Sequence, residues 1–339
     1  MTKKIHAWAA TAQGQPLTRF EYDPGELGPE DVEVAVEYCG LCHSDLSVID
    51  SEWGPAAYPV VGGHEVIGRV VAVGANAKKL KIGQRVGVGW TASSCMHCGQ
   101  CLGGSQHLCR GSQATIIGHH GGFADRVRSH WAWAVPVPDA LDGAVAGPLL
   151  CGGITVFSPF LLYDIKPTAR VGVVGIGGLG HMALKFARAW GCEVTAFTSS
   201  DSKHAEARQL GAHQVISSTN PDAIRKARSS LDLLLVTVNV NLDWVSLMST
   251  LAPNGRLHVV GVVPQPMPVR ALDLIGGQRS VSGSPTGSPT AIATMLEFAA
   301  RHGIAPQVEA FKMSRINEAL DHLRAGKARY RVVLEADFD

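Results

Sequence analysis

Four cysteines lie close together in one stretch of the chain, at spacings that suit a metal ion. They fall within fifteen residues, separated by two, two and seven positions: Cys95, Cys98, Cys101 and Cys109. The short gaps let neighbouring thiolates turn onto one ion, and the longer gap lets the chain loop back to close a tetrahedron. The pattern predicts a structural zinc site. Because four thiolates fill every ligand position, we expect the reaction to occur elsewhere.

A second group of possible ligands is spread along the chain. Cys42 stands in Gly40-Leu-Cys-His-Ser-Asp, His64 in Gly-His-Glu, and Cys151 in Leu149-Leu-Cys-Gly-Gly. Two thiolates and one imidazole with an open fourth position are the ligands of a catalytic dehydrogenase zinc. Each residue alone has a plainer explanation, Cys151 as a packed thiol and His64 as a hydrogen-bonded core histidine. The prediction therefore depends on their joint occurrence.

A glycine motif predicts a dinucleotide site. Gly175-x-Gly177-x-x-Gly180 follows the apolar stretch Arg170-Val-Gly-Val-Val and precedes a segment with helical periodicity; Gly178 and Leu179 complete it. The first glycine makes the tight turn, the second lets a pyrophosphate approach the backbone, and the third packs helix on strand. The helix N-terminus would then face the phosphates.

The end of the second strand in this region distinguishes between the two nicotinamide cofactors. An NAD site usually ends that strand with an acid that binds the ribose 2′-hydroxyl. Here small hydroxyls stand in its place and a lysine follows, which favours a 2′-phosphate and thus NADP(H): Thr198, Ser199, Ser200 and Lys203. Asp201 is either a displaced NAD acid or, more simply, a helix N-cap.

These motifs need two kinds of scaffold. Residues 1–145 read as β-rich, with alternating segments such as 32–38 and 66–73. From about residue 170, buried strands alternate with helices, which predicts a parallel sheet with crossover helices. After residue 288 come two helices, 290–302 and 316–325, and a last strand from Tyr330. Because this strand comes so late in the sequence, it suggests that the chain returns to the first, β-rich region.

Composition limits the possible functions. The 339 residues carry a formal net charge of +1 and only 17% charged residues, so no global field would recruit nucleic acid or a membrane. The N-terminus has no apolar core of signal-peptide length, which favours a reduced, cytoplasmic protein. Val145–Leu162 is uncharged but contains glycines and prolines. We interpret it as buried chain, with a membrane span as the alternative.

Taken together, these motifs resemble one family, the zinc-dependent medium-chain alcohol dehydrogenases, and most closely their cinnamyl alcohol dehydrogenase-like branch. Further matches are Gly121-Gly-Phe-Ala, Pro148-Leu-Leu-Cys-Gly-Gly and Arg329-Tyr-Arg. The resemblance implies an α/β fold with a GroES-like catalytic domain and a Rossmann domain with a doubly wound parallel sheet. The expected bounds are 1–150 with 289–339 for the catalytic domain and 151–288 for the nucleotide-binding domain.

The resemblance also implies roles for individual residues. Cys42, His64 and Cys151 would bind the catalytic zinc, with Glu65 as a nearby carboxylate that ligates or retreats. Asp45 would orient His64, His43 would face the cofactor phosphates, and Ser44 would start the proton path. Ser47 stands where many members have a relay histidine, so we expect a shortened or rerouted path. Further positions that would contact the nicotinamide half or ribose are Thr155, Thr237, Gly261, Ser284 and Thr286.

The implied activity is hydride transfer between NADP(H) and primary alcohols or aldehydes, aromatic or medium-chain, with two zinc ions per chain. Trp53 and Trp90 would wall the substrate site or, with equal reason, pack in the core. Two other functions remain open: reduction of another polarised double bond, such as an iminium or activated alkene, and a zinc-containing structural or regulatory protein without turnover. A homodimer or tetramer is expected, with 257–263 and 279–283 at an intersubunit sheet edge.

Overall fold

The computed structural model describes residues 3–338 and divides into two compact units. Unit 1 falls within Met1–Ile154 and Thr286–Asp339, and unit 2 is Thr155–Pro285. The divisions expected from the sequence lie after residues 150 and 288. Each unit has its own sheet and its own hydrophobic core, and each is described by itself below.

Unit 1 is built mainly from strands, as predicted. Its strands are β1 (Ile5–Ala9), β2 (Thr18–Tyr22), β3 (Asp31–Leu41), β4 (Val66–Val73), β5 (Arg85–Val88), β6 (Thr91–Ser93), β7 (Gln113–Ala114), β8 (Arg126–His130), β9 (Ala134–Pro136), β16 (Val308–Lys312) and β17 (Arg331–Glu335). Its helices are short except near the end: α1 (His43–Ile49), α2 (Gly99–Leu102), α3 (Gly143–Ala146), α10 (Pro289–His302) and α11 (Ile316–Arg324). Helix α4 (Gly152–Leu162) begins in unit 1 and continues into unit 2.

One seven-stranded sheet organises unit 1. Its order is β16-β17-β3-β4-β5-β9, and β8 also pairs with β3. Strand β17 runs antiparallel to β3, with Val332 opposite Leu41. The predicted return of the last strand to the first region is therefore confirmed. This pairing brings residues near position 331 beside residues near position 41, which sequence distance alone would not suggest.

Unit 2 is an alternation of strands and helices. Its strands are β10 (Arg170–Val174), β11 (Glu193–Thr198), β12 (Gln214–Ser217), β13 (Leu231–Val236), β14 (Leu251–Val259) and β15 (Ser280–Gly283). Its helices are α5 (Gly180–Trp190), α6 (His204–Gln209), α7 (Pro221–Lys226), α8 (Trp244–Ser249) and α9 (Ala271–Ile275).

All six strands of unit 2 are parallel, in the order β12-β11-β10-β13-β14-β15. The strand order reverses direction at β10, which is the first strand of unit 2 along the chain. In open α/β sheets, ligands bind beyond the carboxyl ends of the strands at such a switch point. The predicted parallel sheet is confirmed, and the glycine motif lies directly after β10.

The apolar segment 145–162 does not form one continuous helix. It contains the end of α3, a 3₁₀ turn at Gly147–Leu150 and α4, and nearly all of it is buried. Within residues 3–338 no single helix is long and apolar enough to cross a membrane. One pair, Gly143–Leu150 and Gly152–Leu162, meets the length and composition criteria only together and is bent by 54°.

Candidate metal centres and cofactor-binding segment

The four clustered cysteines, hereafter the cysteine loop, converge on one point. Cys98 caps the N-terminus of α2, Cys101 lies inside that helix, and Cys109 follows a 3₁₀ turn that folds the chain back. The Sγ atoms of Cys95 and Cys109 are 3.5 Å apart, those of Cys98 and Cys109 3.8 Å, and those of Cys95 and Cys101 3.9 Å. A tetrahedral zinc with Zn–S bonds of about 2.3 Å requires an S–S distance of about 3.8 Å. The geometry therefore fits the group.

Backbone amides assist the thiolates of this loop. The N–H of Cys98 donates to the Cys95 sulfur at 3.3 Å. Hydrogen bonds from the backbones of His97 and Cys98 lower the pKa of Cys95 to about 6. Because a metal binds thiolate and not thiol, these amides favour the binding form before the ion arrives.

The dispersed set, defined as Cys42, His64, Glu65 and Cys151, also converges. One ligand atom from each lies within 4.8 Å of all the others, and all four residues are buried. The Cys42 and Cys151 sulfurs are 3.9 Å apart, and His64 Nε2 is 3.3 Å from the Cys151 sulfur. The spacing and the two-thiolate, one-imidazole chemistry fit a zinc ion in a tetrahedral site.

Three different elements position these ligands. Cys42 follows β3 and caps α1, and Cys151 lies between the 3₁₀ turn at Gly147–Leu150 and α4. His64 and Glu65 immediately precede β4. The chain reaches His64 through Gly63, whose φ of +94° suits only glycine without strain.

Asp45 connects the parts of the dispersed set. Its Oδ1 accepts from the N–H of Gly63 at 2.8 Å and lies 2.9 Å from His64 Nδ1, and its Oδ2 accepts from the N–H of Cys42 at 2.9 Å. Burial alone would lower the pKa of His64, but the Asp45 carboxylate raises it well above its ordinary value. The hydrogen bond to Nδ1 leaves Nε2 directed at the sulfurs, which is the arrangement that orients a metal-binding imidazole.

Arg331 also belongs to this site, which the sequence did not predict. Its guanidinium donates from Nη2 to Oε1 of Glu65, and both side chains are almost completely buried. Burial raises the pKa of Glu65 to about 7, although the charge of Arg331 acts in the opposite direction. The other carboxylate oxygen of Glu65, Oε2, has no hydrogen-bond partner within residues 3–338. The motif Arg329-Tyr-Arg was a signal for the family but gave no indication of this pairing.

Gly40 makes room for that carboxylate. A Cβ at Gly40 would lie 2.0 Å from Glu65 Oε2, and the Gly40 N–H donates to the Glu65 carbonyl at 2.9 Å. Glu65 Oε2 is thus buried without a partner among residues 3–338, in a space that a side chain at position 40 would fill. Both observations fit a carboxylate that exchanges between Arg331 and a metal ion.

The residues of α1 divide into inner and outer positions. Ser44 Oγ lies 3.7 Å from the Cys42 sulfur, whereas His43 is exposed. Ser47 is buried and donates from its hydroxyl to Oε2 of Glu52 at 2.7 Å. The residue in the relay-histidine position is therefore bonded to a carboxylate that sequence reasoning did not name.

Both candidate pocket tryptophans lie near His64. The Trp90 ring meets the His64 ring edge-on at a centroid distance of 5.1 Å, and Trp53 meets Trp90 at 6.0 Å. Trp53 is 46% exposed, while Trp90 is partly buried against the core of unit 1. The structure thus places an apolar wall beside the dispersed set, and Trp90 also belongs to the core packing.

The glycine motif has the geometry of a phosphate-binding turn. Gly175 has a φ of +91°, and a Cβ at Gly180 would lie 1.8 Å from the Gly175 carbonyl oxygen. A Cβ at Gly177 would meet nothing within 4 Å, so the backbone there is open to a ligand. Gly178 and Leu179 complete the turn, and α5 begins at Gly180. Thr237 closes the turn from β13, donating to the Val174 carbonyl at 2.8 Å.

The end of β11 lies beside this turn. Lys203 Nζ donates to the carbonyl of Ile176 at 2.8 Å, and the Ser200 and Ser202 hydroxyls are 2.7 Å apart. Thr198 is buried at the strand end and Ser199 is exposed. Asp201 is not the helix N-cap that the sequence suggested: Ser200 occupies that position, because the 3₁₀ turn begins one residue earlier. The Asp201 side chain is 89% exposed and lies 3.5 Å from His204.

The remaining predicted cofactor residues are more scattered. Thr155 is buried in α4, and Thr286 opens the returning segment of unit 1. Gly261 follows β14 closely against Val238, where a Cβ would meet the Val238 carbonyl at 2.1 Å. Ser284 follows β15 and lies 2.9 Å from Nε2 of His258, a contact that sequence reasoning missed.

Comparison with known proteins agrees with this geometry. The family description "Alcohol dehydrogenase GroES-like domain" matches residues 28–139, and "Zinc-binding dehydrogenase" matches residues 178–301. Aldehyde reductase AdhA of Synechocystis is 55% identical over 330 residues, which are 97% of this chain and 98% of that protein. The chain belongs to the zinc-dependent medium-chain alcohol dehydrogenases. Its fold is accordingly a GroES-like domain with a Rossmann domain, as the sequence predicted.

Two solved structures place the chain in the cinnamyl alcohol dehydrogenase-like branch. A cinnamyl alcohol dehydrogenase from Sorghum bicolor has a TM-score of 0.93 and 38% identity, with 98% of both chains covered. CAD from Helicobacter pylori, solved with NADP(H), has a TM-score of 0.89 and 30% identity, with 99% of both chains covered. The enzyme class expected from the motifs is confirmed.

Proposed function

We propose that this protein is an NADP(H)-dependent aldehyde reductase and alcohol dehydrogenase for primary substrates, aromatic or medium-chain. In this proposal the dispersed set holds the catalytic zinc, the cysteine loop holds a structural zinc, and unit 2 binds the cofactor. The observation that carries it is the buried convergence of Cys42, His64 and Cys151 beside a carboxylate oxygen that has no hydrogen-bond partner among residues 3–338.

The chemistry divides between bound groups and side chains. A zinc ion in the dispersed set would supply a Lewis acid that polarises the carbonyl oxygen, and NADPH would supply the hydride. The chain itself must align the carbonyl, exclude water and deliver a proton. Trp90 and Trp53 form the apolar surface beside His64 that favours aromatic or aliphatic substrates over charged ones.

Asp45 and Arg331 control the groups around the metal ligands. Asp45 fixes the ring of His64 and the backbone of Cys42 at the same time. Arg331 holds Glu65 by one oxygen, so the carboxylate stays near the ligands without filling the open position. When substrate leaves, Glu65 is close enough to take its place, since one of its oxygens lies within 4.8 Å of the other ligand atoms.

Ser44 is the proposed proton donor to the substrate oxygen. Its hydroxyl oxygen lies 3.7 Å from the Cys42 sulfur, and the residue lies one helical turn before Ser47. Ser47 and Glu52 then form the outer end of the path, because the carboxylate accepts from the Ser47 hydroxyl.

Replacing Ser47 with His should add a titration near neutrality to the pH–rate profile. An unchanged profile would remove position 47 from the path.

The hydroxyls and lysine after β11 are the proposed 2′-phosphate site. Lys203 supplies the charge, and Ser199 and Ser200 supply hydroxyl donors. The side chain of Asp201 is exposed and lies beside His204, which argues against a role as the acid of an NAD site. A relative in the same branch was solved with NADP(H), which supports the assignment. Lys203 also fixes the edge of the glycine turn through the Ile176 carbonyl.

The test is oxidation of NADPH with benzaldehyde, cinnamaldehyde and hexanal, repeated with NADH. We expect turnover with NADPH, and Lys203→Ala should raise the KM for NADPH about tenfold more than the KM for NADH, because only NADPH carries the 2′-phosphate. Lys226→Ala, on the exposed face of α7, is the matched control. A preference for NADH would contradict the roles of Ser199, Ser200 and Lys203. Cofactor binding without turnover in zinc-replete protein would contradict the enzymatic function.

We also propose a cytoplasmic homodimer, with a tetramer as the alternative. Strand β15 is the last strand of the unit 2 sheet, and the exposed apolar side chains of Val262, Leu272 and Ile275 lie in the neighbouring segments. A second copy pairing along this edge would cover both the outer edge of β15 and these side chains. Light scattering should give twice the mass of the 35.8 kDa chain; a monomer would contradict the proposal.

A further inference from the structure

Strand β14 carries a completely buried histidine that belongs to neither metal-ligand cluster. His258 lies opposite Ser282 in the parallel pairing of β14 with β15. Its Nδ1 is 2.9 Å from the Ser282 hydroxyl oxygen, and its Nε2 is 2.9 Å from the Ser284 hydroxyl oxygen. One ring therefore bridges two serines, one inside the strand and one just beyond its carboxyl end.

The surroundings of His258 keep the ring neutral. Tyr163 meets it edge-on at a centroid distance of 5.3 Å, and the Arg256 guanidinium stacks 3.8 Å from the centre of the Tyr163 ring. Burial, assisted by the charge of Arg256, lowers the pKa of His258 to about 4. A neutral imidazole has one N–H donor and one acceptor nitrogen, so the two serines cannot have the same role.

A third contact favours one of the two arrangements. The Ser282 hydroxyl also lies 3.5 Å from the carbonyl oxygen of Leu257, toward which it can only donate. If Ser282 donates there, it accepts from Nδ1–H of His258, and Nε2 must then accept from the Ser284 hydroxyl. The hydrogen of Ser284 is thereby directed into the sheet. Its lone pairs remain available to a ligand.

We infer that His258 is a positioning residue for the nicotinamide half of the cofactor, acting through Ser284. It fixes the Ser284 hydroxyl as a hydrogen-bond acceptor for a donor of that half, the carboxamide N–H₂ or a ribose hydroxyl. The inference rests on the proposed function, because it takes Ser284 as a cofactor contact. Without His258, the half-buried Ser284 hydroxyl would rotate freely and lose its fixed polarity.

The experiment measures NADPH binding by nicotinamide fluorescence, together with binding of 2′-phospho-ADP-ribose, which lacks the nicotinamide. Ser284→Ala and His258→Leu should each weaken NADPH binding about fivefold, and the double variant should be no weaker than either single one. His258→Gln, whose side chain also offers a donor nitrogen and an acceptor atom, should bind NADPH within about twofold of the wild type. Binding of 2′-phospho-ADP-ribose should be unchanged in all of these variants.

Three results with His258→Leu would overturn the inference. Folded His258→Leu could bind NADPH as the wild type does, it could lose both ligands equally, as a merely structural residue would, or its effect could add fully to that of Ser284→Ala. If His258→Leu does not fold, ¹⁵N NMR of the wild type decides the matter: protonation at Nδ1 is expected, and protonation at Nε2 would contradict it. Wild-type protein that fails to bind NADPH would overturn the proposed function as well. Wild-type affinity in Ser284→Ala would overturn the inference alone.

Discussion

The cysteine loop and the dispersed set show two ways of building a site for the same ion. The cysteine loop takes four ligands from one short segment, and two of the four cysteines remain partly exposed. The dispersed set takes ligands as far apart as Cys42 and Cys151, buries all of them, and surrounds them with Asp45 and Arg331. A site that only closes a loop needs little beyond its ligands and the backbone amides beside them. A site that must accept a substrate needs charged neighbours to orient it and to occupy the open position.

The two sites also differ in charge. Four thiolates overcompensate a Zn²⁺ ion, whereas the two thiolates of the dispersed set only balance it. A balanced site leaves the ion able to polarise a neutral carbonyl, and an overcompensated one does not. The comparison predicts that damage to the cysteine loop lowers stability, while damage to the dispersed set lowers turnover.

Removal of a dispersed ligand should have the largest effect. Cys151→Ala should reduce kcat/KM at least about a thousandfold, because the Lewis acid contributes several kcal/mol to the barrier. Its denaturation midpoint should resemble that of Cys192→Ala, a matched control at a buried cysteine in unit 2. Retained turnover with lost stability would reverse the roles of the two sites.

The second prediction concerns the buried ion pair. Arg331→Met leaves Glu65 buried and unpaired, which should lower the free energy of unfolding by about 3–5 kcal/mol. The double variant Arg331→Met, Glu65→Gln should recover most of that stability, because no buried charge is then left without a partner. Urea titration of both variants provides the measurement. Equal destabilisation in the two would show that the arginine acts through packing alone.

Damage to the cysteine loop should cost somewhat less stability and little activity. Cys98→Ser removes one of four ligands and should lower the free energy of unfolding by about 3 kcal/mol, as loss of a structural metal does. The kcat of the protein that remains folded should stay within about threefold of the wild type, since this loop contributes no group to the proposed reaction. A thousandfold loss of kcat in folded Cys98→Ser would mean that the loop takes part in turnover.

Asp45→Asn should have the smallest of these effects. The amide keeps the shape but donates less electron density through His64, so zinc affinity of the dispersed set should fall about 10- to 100-fold. The cysteine loop has no corresponding carboxylate within residues 3–338 that bonds a ligand, so its zinc should be retained. Competition with a chromophoric chelator measures both affinities. A parallel loss from both sites would remove the distinction that Asp45 creates.

The same contrast determines what the sequence could reveal. The cysteine loop follows from spacing alone, because its ligands are near neighbours in the chain. The dispersed set was predicted from the joint occurrence of its ligand types, and the family resemblance then assigned the roles, since Cys42 and Cys151 are 109 positions apart and spacing alone does not connect them. The link between Arg331 and Glu65, which are 266 positions apart, could not be predicted, because it depends on the register that aligns β17 with β3.

Elements were predicted more completely than contacts. The strands β3 and β4 and the helix α5 follow from periodicity and nearby glycines. The short elements β12 and α7 were missed, because they are too short to show a period. The misassigned cap at Asp201 and the bridge from His258 to Ser284 have the same cause. The cap depends on the residue at which the turn starts, and the bridge depends on which strands pair. Side-chain type determines neither of these.

The most direct test of the division between the two sites is to count zinc and measure turnover in the same preparations. We expect two zinc ions per chain in the wild type and one each in Cys151→Ala and Cys98→Ser by elemental mass spectrometry. Of the two single-zinc proteins, only Cys151→Ala should have lost aldehyde reduction, and only Cys98→Ser should unfold at a clearly lower urea concentration than the wild type. Loss of turnover in Cys98→Ser with retention in Cys151→Ala would contradict the account.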